Sequence, residues 1–399
     1  MKVTFDTAEL KTRLGQLSAV IKPNSTNLNY SRVRVFTETS VVKLQGIDID
    51  STLTLTLPGA KSDSAETDVL LDYDALQSPV QKLAAKETVL NIKGDGEAIL
   101  SSGRFRLRLT VYPSKNFTEN SLIAGIASGL AERTESFAIG LPGFQEQIEQ
   151  TVFSLPSADG KFVCASLLVE STPDTLRLVA TDGTMMPISS APANIGTFKF
   201  TMPKLLVELV KILNGGTVAT VSETEGTFYI ETELELLTYN KNHSVFPPYE
   251  RIVPVPGYNT TSIVLPASVV NDLDLVSEGC NEDDDEPGIV FSVDGNGKDL
   301  KLTAVNTQKL ATGDVFMDAA DNHTDVTSIG EALTVRVNYK KISEFIKRAS
   351  FPVTMYAKGP QGIIDFHAKG STPEKPTYRF LLMPMRYEGG TTSLPINND

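Results

Sequence analysis

The chain has 399 residues, 41% of them apolar, a formal net charge of −13 and two cysteines, Cys164 and Cys280. Such a length predicts about three domains, each with its own core, and so few cysteines exclude a disulfide framework and suit a reducing compartment. No window reaches the length of a membrane span and the opening Met-Lys-Val-Thr-Phe-Asp has no apolar stretch, so a soluble, cytoplasmic protein without membrane contact is expected.

The first predicted unit is a strand running into an amphipathic helix over residues 3–17. Leu10, Leu14 and Leu17 form its stripe, while Lys11 and Arg13 lie off it. Residues 33–35, 52–57 and 104–110 alternate apolar and polar, as half-buried antiparallel strands do. Between them a second strand and helix occupy residues 69–83, with Leu76, Val80 and Leu83 inward, Lys82 outward and Pro79 as a kink. A linker is expected over residues 118–135.

The same succession returns twice. Residues 137–152 form a strand and a helix carrying Glu146 and Glu149, and 198–213 form another that buries Leu206, Leu209 and Leu213 and exposes Lys204 and Lys211. After a linker at 255–261 comes a strand and helix at 263–276 with Asp272 and Asp274. The last pair, at 333–349, buries Ile342, Phe345 and Ile346 and exposes Lys340, Lys341, Lys347 and Arg348. Gly295-Asn296-Gly297 sits between alternating stretches and reads as a hairpin turn. It lacks the following helix and the Lys-Ser/Thr of a phosphate loop.

A short pattern ties these halves together. Val42-x-Leu44-x-Gly46-x-Asp48 recurs as Leu176-x-Leu178-x-Ala180-x-Asp182 and as Leu300-x-Leu302-x-Ala304-x-Asn306, with 134 and 124 positions between the central leucines. An apolar-Pro step closes each copy at Tyr112-Pro113, Phe246-Pro247 and Met383-Pro384. A period of that size is a domain, not a solenoid repeat. The expected fold class is α+β, with three repeated modules at residues 1–125, 126–255 and 256–386, each packing two helices on antiparallel sheets, and a flexible tail at 387–399.

Catalytic constellations are lacking. His243, His323 and His367 show no metal-ligand or triad spacing, and Cys164, in an apolar stretch, reads as a small buried hydrophobe. The acidic run at 281–286 lacks the glycine and spaced ligands of a calcium loop. No metal, cofactor or enzymatic activity is expected. A β-rich carbohydrate-active enzyme stays open as an alternative, because paired carboxylates leave no sequence signature; the absence of Trp counts against it. The charge of −13 argues against tight adhesion to nucleic acid. It does not exclude a protein that surrounds DNA and carries positive charge only on its inner wall.

Three segments carry a family resemblance: Leu176-Arg177-Leu178-Val179-Ala180-Thr181-Asp182-Gly183, Phe246-Pro247-Pro248-Tyr249-Glu250-Arg251-Ile252-Val253-Pro254 and Leu382-Met383-Pro384-Met385-Arg386. Together they resemble the bacterial DNA sliding clamp, the beta subunit of DNA polymerase III, over residues 1–386. The resemblance implies a DNA polymerase processivity factor: three modules make half a ring, and a homodimer closes it around double-stranded DNA without reading sequence. It implies a groove for polymerase and clamp-loader peptides formed by Thr181, Gly183, Thr184, Met185, Met186, Pro247, Arg251, Ile252, Leu382, Met383, Pro384, Met385 and Arg386, with Cys164 at one end. DNA would be faced by Lys11, Arg13, Lys82, Lys204, Lys211, Lys340, Lys341, Lys347 and Arg348. The dimer seam would pair the strand carrying Arg104, Leu107 and Leu109 with Leu275 and Val276.

The chain departs from the family at points. Thr184-Met185 stand where His-Arg are usual, so the groove is expected to lose a cation. Residues 22–27 replace an arginine-proline segment. Residues 387–399 extend past the usual end, and Ser393-Leu394-Pro395-Ile396 is apolar enough to visit the groove. These departures motivate a second reading, a divergent clamp paralogue with a regulatory role.

Overall fold

Strands that end in a capping residue explain how the helices start. In the computed structural model, which describes residues 1–94, 96–118, 135–157, 165–241, 245–255, 258–259, 261–280, 287–293, 299–306, 311–318, 332–368 and 377–386, strand Lys2–Asp6 runs directly into helix α1 (Thr7–Leu17). Asp6 Oδ1 accepts from the amides of Ala8 at 2.9 Å and Glu9 at 3.0 Å, satisfying donors that the first helical turn leaves open. Asp72 does the same for Ala75 at the start of α2 (Tyr73–Lys82), and Asn338 for Lys341 at the start of Tyr339–Ile346. Besides a single turn at Lys115–Thr118, the helices described between them are labelled α3 (Leu141–Thr151), α4 (Lys204–Lys211) and α5 (Val269–Ser277), and Tyr339–Ile346 is labelled α6. All six follow a strand, in the predicted order.

The chain divides into two compact units, residues 1–145 with 203–243, and residues 146–202 with 244–399. The first unit contains a five-stranded sheet in the order Lys61–Ser62, Lys2–Asp6, Glu87–Ile92, Glu97–Ser102, Phe105–Thr110. It also contains a nine-stranded antiparallel sheet, in which Ser51–Leu57 pairs with Glu235–Asn240 through Leu53↔Leu237. The α1 stripe of Leu10, Leu14 and Leu17 is buried as expected. Each such leucine contributes roughly 1.5–3 kcal/mol from burial.

Strand Ser51–Leu57 corrects the half-buried expectation, because Thr52 and Thr54 are buried along with Leu53 and Leu55. Their hydroxyls are satisfied sideways: Thr52 Oγ1 lies 2.7 Å from Thr238 Oγ1, and Gln45 Nε2 donates to Thr54 Oγ1 at 2.9 Å. Period-two alternation therefore marks a sheet face here, not exposure.

The second unit contains an eight-stranded sheet. There Met185–Pro192 pairs with Thr377–Leu382 in the register Met185↔Leu382 and Ile188↔Arg379. A four-stranded sheet is built from Gly288–Val293, Asp299–Asn306, Ala311–Asp318 and Leu333–Asn338. Val293 pairs with Leu300 across the predicted hairpin, whose turn residues lie outside the described ones. Phe345 of α6 stacks on Phe380 at 4.9 Å between centroids, fixing the helix over the sheet core.

The recurring pattern is, each time, the middle strand of three antiparallel ones: Val41–Ile47, Thr175–Val179 and Asp299–Asn306. Its small residue has a packing cause. A Cβ on Gly46 would stand 2.8 Å from Ile21 Cγ1 and 3.2 Å from Leu17 Cδ2, and the equivalent Ala180 and Ala304 are buried.

Candidate partner-binding trough

The turn after the middle copy, residues 180–184, begins the site. Asp182 Oδ1 accepts from the Thr184 amide, the Thr184 hydroxyl and the Met185 amide, all at 2.8 Å. Such a side-chain turn fixes the chain reversal locally. Gly183 adopts φ +87°, a region where a Cβ is strained, so glycine is required there. Thr181 Oγ1 donates to Met185 O at 2.8 Å and accepts from Gly183 N at 3.0 Å. The Met383 amide then bonds Thr184 O at 2.8 Å, which draws the C-terminal segment alongside the turn.

The other carboxylate oxygen, Asp182 Oδ2, lies 3.1 Å from Nζ of Lys341 on α6, and the same ammonium donates to Thr184 Oγ1. Burial by itself would raise the Asp182 carboxyl. The Thr184 and Met185 amides, the Thr184 hydroxyl and the Lys341 charge outweigh it and hold the group below the usual aspartate value. Thr184-Met185 themselves carry no charge, and Lys341, distant in sequence, brings a cation to Thr184.

Above this network runs a trough with two adjoining lobes. The first, about 230 Å³, is apolar and lined chiefly by Met185, Met186, Ile252, Ile363, Leu381 and Met383. Thr181, Gly183 and Thr184 close its end. The second, about 420 Å³, is lined by Asn338, Lys341, Pro384, Met385 and Arg386, and shares Thr184, Leu382 and Met383 with the first. Met383 is 48% exposed and Ile252 50% exposed, an apolar pair left open to solvent.

Ile252 is held by the turn Tyr249–Arg251. Tyr249 is buried, its hydroxyl donates to Glu170 Oε1 and receives Arg177 Nη1 at 3.1 Å. Burial and the Glu170 hydrogen bond push that phenol up to about 12, so it is a neutral anchor.

Of the predicted groove residues, Thr181, Gly183, Thr184, Met185, Met186, Ile252, Leu382, Met383, Pro384, Met385 and Arg386 line the trough. Pro247 and Arg251 do not line either lobe, and Cys164 lies outside the described residues. Ile363, Leu381, Asn338 and Lys341 were missed. Nothing local marks Ile363 or Leu381, since strand pairing alone brings them to the lobe.

The basic helix residues sort differently from expectation. Arg13 is buried, its Nη1 3.0 Å from Glu235 Oε1, in a cluster with Gln16 and Asn214; it cannot also face a ligand outside. Lys341 points to the trough. Lys11 is half-buried and donates to Leu83 O at 2.6 Å, Lys211 lies 3.4 Å from Glu208, and Arg348 folds onto Glu344 at 2.6 Å. Lys82, Lys204, Lys340 and Lys347 are exposed.

For the predicted seam, Phe105–Thr110 is an edge strand of its sheet, with Arg104 exposed and Leu107 half-buried. Leu109 is buried and packs inward, as is Val276, while Leu275 is 65% exposed. Leu109 and Val276 are therefore core residues of the single chain. His243, His323, the acidic run 281–286 and the tail 387–399 lie outside the described residues.

A larger cavity, about 870 Å³, opens on the eight-stranded sheet beside Tyr249, His367 and Arg379. Its cations are occupied: Arg177 is 3.3 Å from Glu170, and Arg379 is 2.6 Å from Asp365. Glycoside hydrolysis needs a carboxyl kept protonated. Asp365, which pairs with Arg379 but does not itself line the cavity, is shifted the other way, its burial outweighed by His367 and Arg379. Among the described residues no group of three or more His, Cys, Asp or Glu is arranged to hold a metal, and no helix is long and apolar enough to cross a membrane.

No family model matches the chain. In sequence it is 26% identical over 183 residues to the beta sliding clamp of Pseudomonas putida, covering 44% of this chain and 47% of that one. The match thus spans about half that relative's length. It is 24% identical over 266 residues to the beta sliding clamp of Pseudomonas aeruginosa, covering 64% and 69%. In structure, the DNA polymerase III beta subunit of Thermotoga maritima superimposes with a TM-score of 0.80 at 19% identity, covering 97% of this chain and 99% of that one. The beta subunit from Pseudomonas aeruginosa gives 0.81 at 18%, covering 97% and 100%. In sequence this chain is similar over part of its length to bacterial beta sliding clamps, at 24–26% identity, and its α+β fold is the one those DNA polymerase III beta subunits adopt.

Proposed function

We propose that this chain is a non-enzymatic, cytoplasmic DNA polymerase processivity factor that acts as a homodimeric ring around duplex DNA. Three modules, residues 1–125, 126–255 and 256–386, form each half of the ring, and the trough tethers polymerase and clamp-loader peptides. The observation that carries this reading is the trough itself. It gathers eleven residues named by the resemblance into one open trough with an apolar lobe and a cationic one, in a chain whose fold matches clamps along nearly its whole length.

The mechanism is topological: release requires opening the ring, so contacts with DNA need only be weak. Lys82, Lys204, Lys340 and Lys347 attract phosphates without adhering, and the net charge of −13 limits sticking elsewhere. Lys11, Lys211, Lys340 and Arg348 each also meet a partner within the chain. The seam joins the edge strand Phe105–Thr110, with Arg104 and Leu107, to the partner's surface at Leu275, which would close an otherwise open sheet edge.

Retention on nicked circular DNA with release on linearisation tests the reading. A monomer that adheres tightly to DNA, or retention unaffected by linearisation, would overturn it. A regulatory clamp paralogue is the second reading, favoured by the Thr184–Lys341 contact that replaces the family's usual His-Arg. It predicts ring formation without stimulation of the replicative polymerase in primer extension.

A further inference from the structure

We propose that the second lobe of the trough selects an acidic side chain, so that this chain's partners carry a carboxylate next to their apolar anchor. The inference rests on the reading of the trough as a peptide site and adds its chemical preference.

Two cations, Lys341 and Arg386, line the second lobe, and among the described residues no carboxylate does. Asp182 stands behind Lys341 and only partly neutralises it. One of its oxygens is filled by three donors from the turn, and the other takes a single contact from the ammonium. An ammonium has three donors. Two of those on Lys341 go to Asp182 and Thr184, and its side chain remains 20% exposed. Arg386 is exposed and has no ion-pair partner among the described residues. Its neighbours in the same unit differ: Arg177, Arg348 and Arg379 are each paired with Glu170, Glu344 and Asp365. An exposed guanidinium beside a pinned ammonium suits a carboxylate, which can take a fork from one and a point charge from the other.

Position adds to chemistry. The cationic lobe shares Thr184, Leu382 and Met383 with the apolar lobe, so one short segment can seat an apolar anchor in the first and an acid in the second. On a chain of net charge −13, most of the surface repels an acidic peptide, which sharpens the preference for this lobe.

The test is fluorescence anisotropy of the full chain with labelled octapeptides bearing a Leu-Phe anchor. A single Glu is placed at successive positions on either side of the anchor, and Gln replaces it in the controls. At the positions that reach the second lobe, Glu is expected to bind about fivefold tighter than Gln at low salt, with the advantage fading as salt rises. Lys341→Met should bring the ratio of Glu to Gln affinity close to one, and that ratio, not the absolute affinity of either peptide, is the readout. Arg386→Ala, a change confined to an exposed side chain, should reduce it independently. Equal binding of Glu and Gln at every position, with Met383→Asp still weakening binding, overturns the acid preference alone. No binding of any peptide overturns the trough reading and the preference together.

Discussion

Two cation–carboxylate pairs join distant parts of this chain, and their difference separates scaffold from recognition. Arg13 and Glu235 are 3.0 Å apart with side chains 7% and 0% exposed; Lys341 and Asp182 are 3.1 Å apart with side chains 20% and 23% exposed. In the first pair both oxygens of the buried carboxylate take several donors. Glu235 accepts from Arg13, Gln16, the Asn214 and Gly215 amides and the Thr232 hydroxyl, and Arg13 is shared with Asn214 and Gln16. In the second pair Asp182 Oδ1 takes three donors from its turn and Oδ2 takes only the ammonium, which has two of its three donors engaged. The same chemistry, moved to the edge of a cavity, leaves a donor for a ligand.

The largest expected effect breaks the sealed pair. Arg13→Ala leaves Glu235 buried without its cation and should cost about 3–5 kcal/mol in urea unfolding. Adding Glu235→Gln to that variant should recover part of the loss; no recovery would mean that packing, not charge, holds the cluster. At the open site, Met383→Asp should weaken peptide binding by about 2 kcal/mol, roughly thirtyfold, with unfolding barely changed. Comparable losses of stability and affinity would show Met383 to be core, against its exposure.

Gly183→Ala forces a Cβ into φ +87° and should cost about 1–2 kcal/mol, read by thermal unfolding, together with lost peptide affinity. Asp182→Asn is smaller, about 1 kcal/mol, because the amide oxygen still accepts the turn's hydrogen bonds. Its pH dependence is the sharper readout. The folded Asp182 pKa is depressed, so its stabilisation is present above the unfolded value near 4 and is lost as pH falls through the folded value. The gap between wild type and Asp182→Asn should be constant at neutral pH and shrink below about pH 4; a gap that widens there would reverse the assignment. The smallest effect is Lys341→Met, below about 1 kcal/mol in stability since the pair is partly exposed. If its effect matched that of Arg13→Ala, the contrast between the two pairs would fail.

The comparison also marks how far the sequence could be read. Helix stripes such as Leu10, Leu14 and Leu17, or Ile342, Phe345 and Ile346, were legible because helical periodicity is a local property. The turn at Asp182–Gly183 was legible as a motif. Arg13 and Lys341 were not, for they read alike in sequence, as basic residues off an apolar stripe. One meets a glutamate 222 positions away and the other an aspartate 159 positions away.

By itself, then, the sequence determined the order of the strand-and-helix units, their threefold recurrence and the small residue that the middle strand of each copy requires. These depend on spacing along the chain, which any reader of the chain can measure. The tertiary structure alone decided that Leu53 pairs with Leu237 and Met185 with Leu382, which charges are sealed and which are open, and that a trough exists. Long-range pairing is set by burying both faces of a sheet at once, and no local pattern records which strand will lie on the other side.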